Sequence, residues 1–406
     1  MQSWMTAPGA RAVLAALASG GAPAALFVGG CVRDAILGRD VVDVDIATIH
    51  PPDEVMRRLD VAGIGYHTIG VDHGTVGAHA GERTYEITTL RVDVETDGRH
   101  AKVAYTDDWA LDASRRDFTM NALYADGAGN VFDPLGGMED LNVRRVRFIG
   151  DPHERIQEDA LRILRFFRFN AQLGDGEIDA PGLQASLSHA GMLAGLSGER
   201  IRDELRKILL SVRPARMLEI MAEHEILTGD MSCLQNVDDL GALTGIEGRH
   251  GEPDFVRRLS ILMNEPACVP AVAVRLKLSK VEASRLMSLS EGGSDLTPDL
   301  SHDQQQKRVY GLGAATWRDH VLLNWARDAS STNAQRDAAW VALLGLPDVW
   351  SVPVFMLRGS DVLDLGVSPG PEIRQLLDTV EAWWVEGGFL ANRAACLDEL
   401  ARRVNG

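Results

Sequence analysis

LFVGGCVRDAILGRDVVDVDIAT, residues 26–48, reads as one strand–turn–helix–strand unit and decides how the rest of the chain is read. Leu26, Phe27 and Val28 make a short apolar run suited to a buried strand. Gly29-Gly30 makes a turn whose bare backbone can approach a phosphate, and Val32 to Leu37 begin a helix aimed at that turn. A second strand is expected after Gly38. Side chains alternate faces along a strand, so Asp43 and Asp45 present two carboxylates together while Val44 and Ile46 turn to the core. Such a pair can hold Mg²⁺, which takes hard oxygen ligands and commonly binds through one or two carboxylates plus substrate phosphates. A Gly-Gly turn or an Asp-x-Asp alone says little; in combination they point to metal-dependent transfer on a nucleoside triphosphate.

Composition sets outer bounds. The 406 residues, 45% hydrophobic and 24% charged, form a globular chain long enough for roughly two to four domains. The alanine-rich opening from Ala10 to Ala18 carries Arg11 and lacks a small-residue cleavage site, and no run of about 18 apolar residues occurs, so neither export nor a membrane role is expected. Cys31, Cys233, Cys268 and Cys396 are too scattered for a zinc site and fit reduced thiols of a cytoplasmic protein. The net charge of −17 argues on its face against nucleic acid. Its distribution argues otherwise: seven arginines against four acids lie between Arg144 and Arg168, and the planar arginine fork suits phosphates and base edges.

Further motifs follow in order. GTVGAHAGERTYEITTLR, residues 74–91, reads as a hairpin turning near Gly81-Glu82, with Glu86 on its second strand. RVDVETDGRHAKV, residues 91–103, is polar, charged and glycine-containing and reads as a surface loop. LDASRRDFTMNALY, residues 111–124, gathers Arg115, Arg116, Asp117 and Asn121 in an expected helix packed by Phe118, Met120, Ala122 and Leu123. A short strand is predicted over Val143 to Ile149. Glu154 to Gln172 is predicted as one helix carrying EDALRILRFFRFNAQL, with Asp159 and Arg162 three residues apart and neighbours on its surface. An Asp that accepts from an exocyclic amine, beside an Arg that donates to ring acceptors, can imitate a Watson–Crick edge. Cytosine and adenine both carry such an amine, so one Asp can serve both. Arg165 and Arg168 continue the series and wind around the helix. Ser197 is a plausible N-cap for a helix opening SGERI, with Glu199 in its first turn. Helices are then expected over 217–226, 255–263, 271–278, 281–289, 304–311, 317–326 and 334–343. His302-Asp303 has no metal-spaced partner and reads as surface.

The ordered set GG-x-VRD-x-x-LG-x-x-x-x-D-x-D, E-x-T-T-x-R, RRDFT-x-N, EDALR and S-x-E-R-I resembles the polymerase-β-like nucleotidyltransferases, in particular the bacterial tRNA CCA-adding enzymes and their poly(A) polymerase relatives. The resemblance implies an α/β head with a mixed sheet, over residues 1–143. It further implies an all-α neck (144–212) holding the base-selecting helix, a helical body (213–300) and a tRNA-binding tail (301–406). It implies addition of C, C and A to tRNA from CTP and ATP without a nucleic-acid template, by two-metal transfer that releases pyrophosphate. Asp43 and Asp45 would bind the metal, with Glu86 as a third acid beside them. Gly29, Gly30 and Arg33 would contact nucleotide, and Arg116 its phosphates, with Asp112 and Asp117 placing the ribose or bracing the arginines. Asp159 and Arg162 would serve as the protein template, and Arg165 and Arg168, continuing the series, would bind nucleotide. The SGERI helix would buttress that template without a catalytic role. The segment 91–103 corresponds to a flexible loop whose key portion is missing from enzymes that add only cytidines, so its presence favours full CCA addition. LGVSPGP ahead of Trp383-Trp384 resembles the distal end of the same group, where the tRNA elbow is met by shape and phosphate contacts. A poly(A) polymerase shares the head, but many of those carry Glu-Asp-Pro where this chain has Glu-Asp-Ala, and they have a long basic tail that this chain lacks. A catalytically silent RNA-binding protein is the other alternative, against which Asp43 and Asp45 argue. No oligomeric state follows from these motifs.

Overall fold

The computed structural model describes residues 2–20, 23–70, 74–97, 100–173, 176–293, 295–328 and 333–405, with backbone alone at Gly70, 93–97 and 100–102. Two compact units result: Met1–Ser232 joined by Val272–Lys277, and Cys233–Ala271 joined by Leu278–Gly406.

The first unit opens with helix α1 (Pro8–Leu17), which buries Ala10, Val13 and Leu17 along one face. Strand β1 (Ala25–Val28) follows, then α2 (Gly30–Ile36) and β2 (Val44–Thr48), with Asp43 just ahead of the strand. Between β1 and α2, Gly29 sits at φ 73°, ψ −124°, and a Cβ there would meet the Asn121 carbonyl oxygen at 3.5 Å. Only glycine makes that reversal without strain. Helix α3 (Pro52–Val61) has Pro52, Asp53 and Glu54 in its first turn, suited to its unpaired amides. Strands β3 (Gly65–Gly70), β4 (Thr75–Ala80) and β5 (Arg83–Thr89) come next, β4 and β5 being the expected hairpin.

These strands, with β8 (Tyr124–Ala125) and β9 (Val131–Phe132), make a seven-stranded sheet ordered β3-β4-β5-β2-β1-β8-β9. It is mixed: β2 runs antiparallel to β1 and parallel to β5, and the parallel register sets Asp45 against Glu86. Alternation does the rest. Val44 and Ile46 are buried beneath the sheet with Phe27, Tyr85 and Ile87, which leaves Asp45 and Glu86 on the other face.

Three expectations for the first unit are corrected. Residues 91–103 are no loop: β6 (Arg91–Asp97) and β7 (His100–Tyr105) pair as a two-stranded antiparallel sheet, with residues 98–99 outside the described residues. Val92, Val94 and Thr96 alternate with acids ahead of Asp97-Gly98, which is a hairpin pattern that the high polarity conceals. Residues 111–124 are not one helix. Helix α4 (Trp109–Ser114), capped by the Asp108 carboxylate on the amides of Ala110 and Leu111, stops at Ser114, and a 3₁₀ turn over Thr119–Asn121 leads into β8. The strand predicted over 143–149 is reduced to a single bridge between Phe118 and Phe148, after helix α5 (Gly137–Asn142).

The fourth correction matters most for the site. The expected helix from Glu154 breaks into α6 (Pro152–Glu158) and α7 (Leu161–Leu173), and Asp159 between them is extended at φ −152°, ψ 105°. Its main-chain N–H still bonds the Arg155 carbonyl, while its carboxylate accepts from the Leu161 amide at 3.1 Å and its carbonyl from the Arg162 amide at 3.0 Å. Asp159 therefore closes one helix and caps the next. After α8 (Ala180–Ser188), helix α9 (Gly198–Leu209) packs along α7; Ser197 occupies its N-cap position without a side-chain cap bond. Helix α10 (Pro214–Glu223) follows.

The regular elements of the second unit are helices among its described residues, with one isolated bridge between Leu234 and Met263. Phe255–Leu262 and Lys280–Glu291 lie close to expectation, and Ala334–Leu344 likewise. The helices expected over 304–311 and 317–326 are two arms of His302–Asp328, kinked where Gly313 leaves helical geometry at φ 74°. Val237–His250 and Arg393–Asn405 were not foreseen. No described helix is long and apolar enough to cross a membrane.

Candidate active site

A cavity of about 550 Å³ opens in the first unit where the glycine turn, β2, the residues after α4 and the start of α7 converge. Of the residues singled out above, Gly29, Gly30, Arg33, Asp45, Arg116, Asp117, Asp159, Arg162, Arg165 and Arg168 line it. Asp43 and Glu86 are exposed beside Asp45 rather than in its wall, and Asp112 lies buried behind Arg116. Asn121, Leu161, Phe169 and Arg200 also line it.

One edge of the cavity is carboxylate, with Asp45 in the wall and Asp43 and Glu86 beside it. Burial raises the Asp45 carboxyl to about 6; the charges of Glu86 and Asp43 push the same way, and Arg116 opposes them in part. Among the described residues, no hydrogen bond or ion pair holds the side chains of Asp43, Asp45 and Glu86. Acids crowded together without bound protein cations resist ionisation unless an external cation joins them. That fits a hard divalent metal. No group of three described side chains closes a ligand set alone, which suits an ion that takes its remaining oxygens from water and phosphate.

The opposite wall is arginine, and each guanidinium is already held. Arg115 and Arg116 both bond Asp112, at 2.7 and 2.9 Å, and the Tyr124 hydroxyl donates to the same carboxylate at 2.8 Å. Burial alone would raise Asp112; Arg116 and Arg115 overcome it and hold the group at about 2. Arg165 reaches across from α7 to Asp117 at 2.7 Å, and keeps that carboxyl below its usual range despite burial. Arg33 donates to the Asn121 side-chain oxygen at 2.7 Å, and Asn121 donates on to Asp117 at 3.0 Å. Arg168 pairs with Glu204 of α9 at 2.8 Å, yet burial still lowers it to about 10.

Asp159 and Arg162 do not pair with each other. Arg200 of α9 donates to Asp159 at 2.7 Å, while Arg162 bonds the Arg155 carbonyl at 2.7 Å and also Glu158. The intrahelical pair conceivable from their spacing is thus absent, and both side chains face the cavity. The arginines wind around the helix as expected, yet Arg162, Arg165 and Arg168 all reach the same cavity, because two steps of three residues turn them by only about 120° in all. Sequence reasoning missed Asn121 as a link, Arg200 and Glu204 as partners, and Phe169 as a lining residue. Asn121 was quoted within its motif and Arg200 within SGERI, but the contacts span 88 and 41 residues, which no local pattern reveals.

A glycine turn beneath a carboxylate edge, facing a wall of arginines, defines a nucleotidyltransferase site. Residues 25–147 match the Poly A polymerase head domain, and residues 177–229 the probable RNA and SrmB-binding site of polymerase A. Over 89% of its length the chain is 34% identical to the human mitochondrial CCA tRNA nucleotidyltransferase 1, covering 83% of that protein. The CCA-adding enzyme of Enterococcus faecalis is 31% identical, over 93% of this chain and 92% of its own. The crystal structure of the Bacillus stearothermophilus CCA-adding enzyme in complex with CTP superposes with a TM-score of 0.82 at 26% identity, covering 100% of this chain and 98% of that one. The chain belongs to the family of CCA-adding enzymes.

Proposed function

We propose that this chain adds C, C and A to the 3′ end of tRNA from CTP and ATP, using protein side chains in place of a template and releasing pyrophosphate. The observation that carries the reading is the cavity itself, where Asp45, the Gly29-Gly30 turn, Arg116, Asp159 and Arg162 share one volume of about 550 Å³. Such a volume suits one nucleotide.

Asp43 and Asp45 would hold divalent metal, with Glu86 as the adjacent third acid. Bound there, metal ions, magnesium by the donor chemistry, supply acidity to the tRNA 3′-hydroxyl and charge for the departing pyrophosphate. The chain's own residues do the positioning. Arg116, braced by Asp112, meets phosphate; Arg33 lies beside the glycine turn; Asp159 accepts from the exocyclic amine that C and A share; and Arg162 donates to ring acceptors. Arg165 and Arg168 extend the basic wall. Pre-set dipoles and charges of this kind carry most of the catalysis in phosphoryl-type transfers.

The four-part division into head (1–143), neck (144–212), body (213–300) and tRNA-binding tail (301–406) belongs to the same reading, as does a cytoplasmic setting, which suits the four free thiols. Incubating the protein with tRNA transcripts that end at the discriminator base, with CTP and ATP singly and together, and sequencing the 3′ ends tests it. CC with CTP alone and CCA with both are expected; runs of A, or no extension, would overturn it.

A further inference from the structure

Three arginines of the cavity converge on one aromatic ring. The guanidinium carbons of Arg33, Arg165 and Arg168 lie 5.0, 5.4 and 4.0 Å from the centroid of Phe169. Phe169 is itself 4% exposed and is wedged edge-on against Phe118 at 5.4 Å. Arg33 belongs to α2, beside the glycine turn, whereas Arg165 and Arg168 belong to α7. Each is held at its polar end by a separate partner: Asn121 for Arg33, Asp117 for Arg165 and Glu204 for Arg168. Among the described residues, the Phe169 ring is an aromatic face that all three guanidiniums approach.

Three like charges gathered in a partly dry cavity repel, and a flexible arginine relieves the repulsion by swinging away. An aromatic face carries negative quadrupole charge and attracts a guanidinium laid near it. We propose that Phe169 is a positioning residue: its ring keeps the three guanidiniums together and so couples the phosphate end of the nucleotide site to its base-selecting end. An aliphatic side chain of similar bulk would fill the same space but give the arginines no face to rest on. This rests on the proposed function, since it concerns how that site takes CTP and ATP.

The experiment compares Phe169→Leu, Phe169→Met and Phe169→Tyr with the parent protein on tRNA transcripts, measuring kcat and KM for CTP, ATP and UTP and the thermal midpoint. Loss of the ring in the Leu and Met variants should raise KM for CTP and ATP about 5- to 20-fold and lower the CTP:UTP ratio of kcat/KM about threefold or more, with kcat held within about threefold. Phe169→Tyr, which restores a ring, should return both quantities to near the parent. A folded Leu or Met variant with parental KM and ratio overturns the proposal, as does a Tyr variant no better than Leu. If Leu and Met both fail to fold while Tyr folds, the ring serves the core and the proposal falls. A parent protein that extends no tRNA would instead sink the proposed function, so the two failures are distinguishable.

Discussion

The carboxylate edge at the mouth of the cavity and the arginine wall inside it handle charge in opposite ways. On the sheet, Asp43, Asp45 and Glu86 crowd without ion pairs, and burial and their mutual repulsion push Asp45 up to about 6. Along α2, α7, α9 and the turn after α4, every cavity arginine is matched to a protein partner: Arg116 to Asp112, Arg165 to Asp117, Arg162 to Glu158, Arg168 to Glu204, Arg200 to Asp159 and Arg33 to Asn121. The carboxylate wall is a charge left open for a cation from solution. The arginine wall is set in advance, so a nucleotide meets donors whose rotamers are already fixed. Chemistry and selection are thus assigned to separate surfaces, one unsatisfied and one satisfied.

The sharpest way to break this contrast is to remove the open charge. Asp45→Ala should cut nucleotide transfer by about 10³-fold or more while tRNA affinity stays within a few-fold, read by single-turnover extension and filter binding. Asp45→Asn should lose activity similarly yet raise stability in chelator. The sign follows from the raised carboxyl. Between its ordinary value of 3.8 and about 6, the folded state binds a proton that the unfolded state does not, so stability falls as pH rises through that window. Removing the charge should therefore recover on the order of 1–3 kcal/mol at pH 7, by denaturant unfolding. An Asn variant no more stable than the parent at pH 7 would deny that these acids are left strained.

The matched wall should respond in the opposite direction. Asp112 is 1% exposed beneath two guanidiniums, so Asp112→Asn should destabilise by about 2–4 kcal/mol and weaken CTP, ATP and UTP alike through the freed Arg116. Stability unchanged in that variant would show that the arginine wall holds itself. A smaller change is expected from Arg200→Met, which frees the Asp159 carboxylate from one of its two partners. The CTP:UTP ratio should fall by about two- to fivefold, near the value of one exposed charge contact, with kcat little altered.

How far the sequence could be read follows the same division. The strand–turn–helix–strand of residues 25–48 and the β4–β5 hairpin were legible because apolar alternation and glycine turns are local signals. Asp45 and Glu86, expected as neighbours, stand opposite each other in the β2–β5 register. The break at Asp159 was missed because Glu-Asp-Ala contains neither Pro nor Gly. An Asp directly ahead of the apolar run LRILRFF is nonetheless an N-cap signal. The β6–β7 hairpin was hidden by charge, although Asp97-Gly98 marks a turn. Bracing by Asp112 and Asp117 was expected from the resemblance, but which distant arginine each partner holds could not be read from local pattern. Arg165 to Asp117 spans 48 residues and Arg33 to Asn121 spans 88, and such pairings exist only once the chain is folded.

The division of labour between the walls is tested most directly by the CTP:UTP ratio of kcat/KM in Asp159→Ala beside that in Arg116→Ala. Loss of the acceptor for the exocyclic amine should lower the ratio about tenfold or more, on the order of 1–3 kcal/mol, while Arg116→Ala weakens both nucleotides and leaves the ratio unchanged. A parental ratio in Asp159→Ala would mean that this residue only caps α7 and that base selection lies elsewhere.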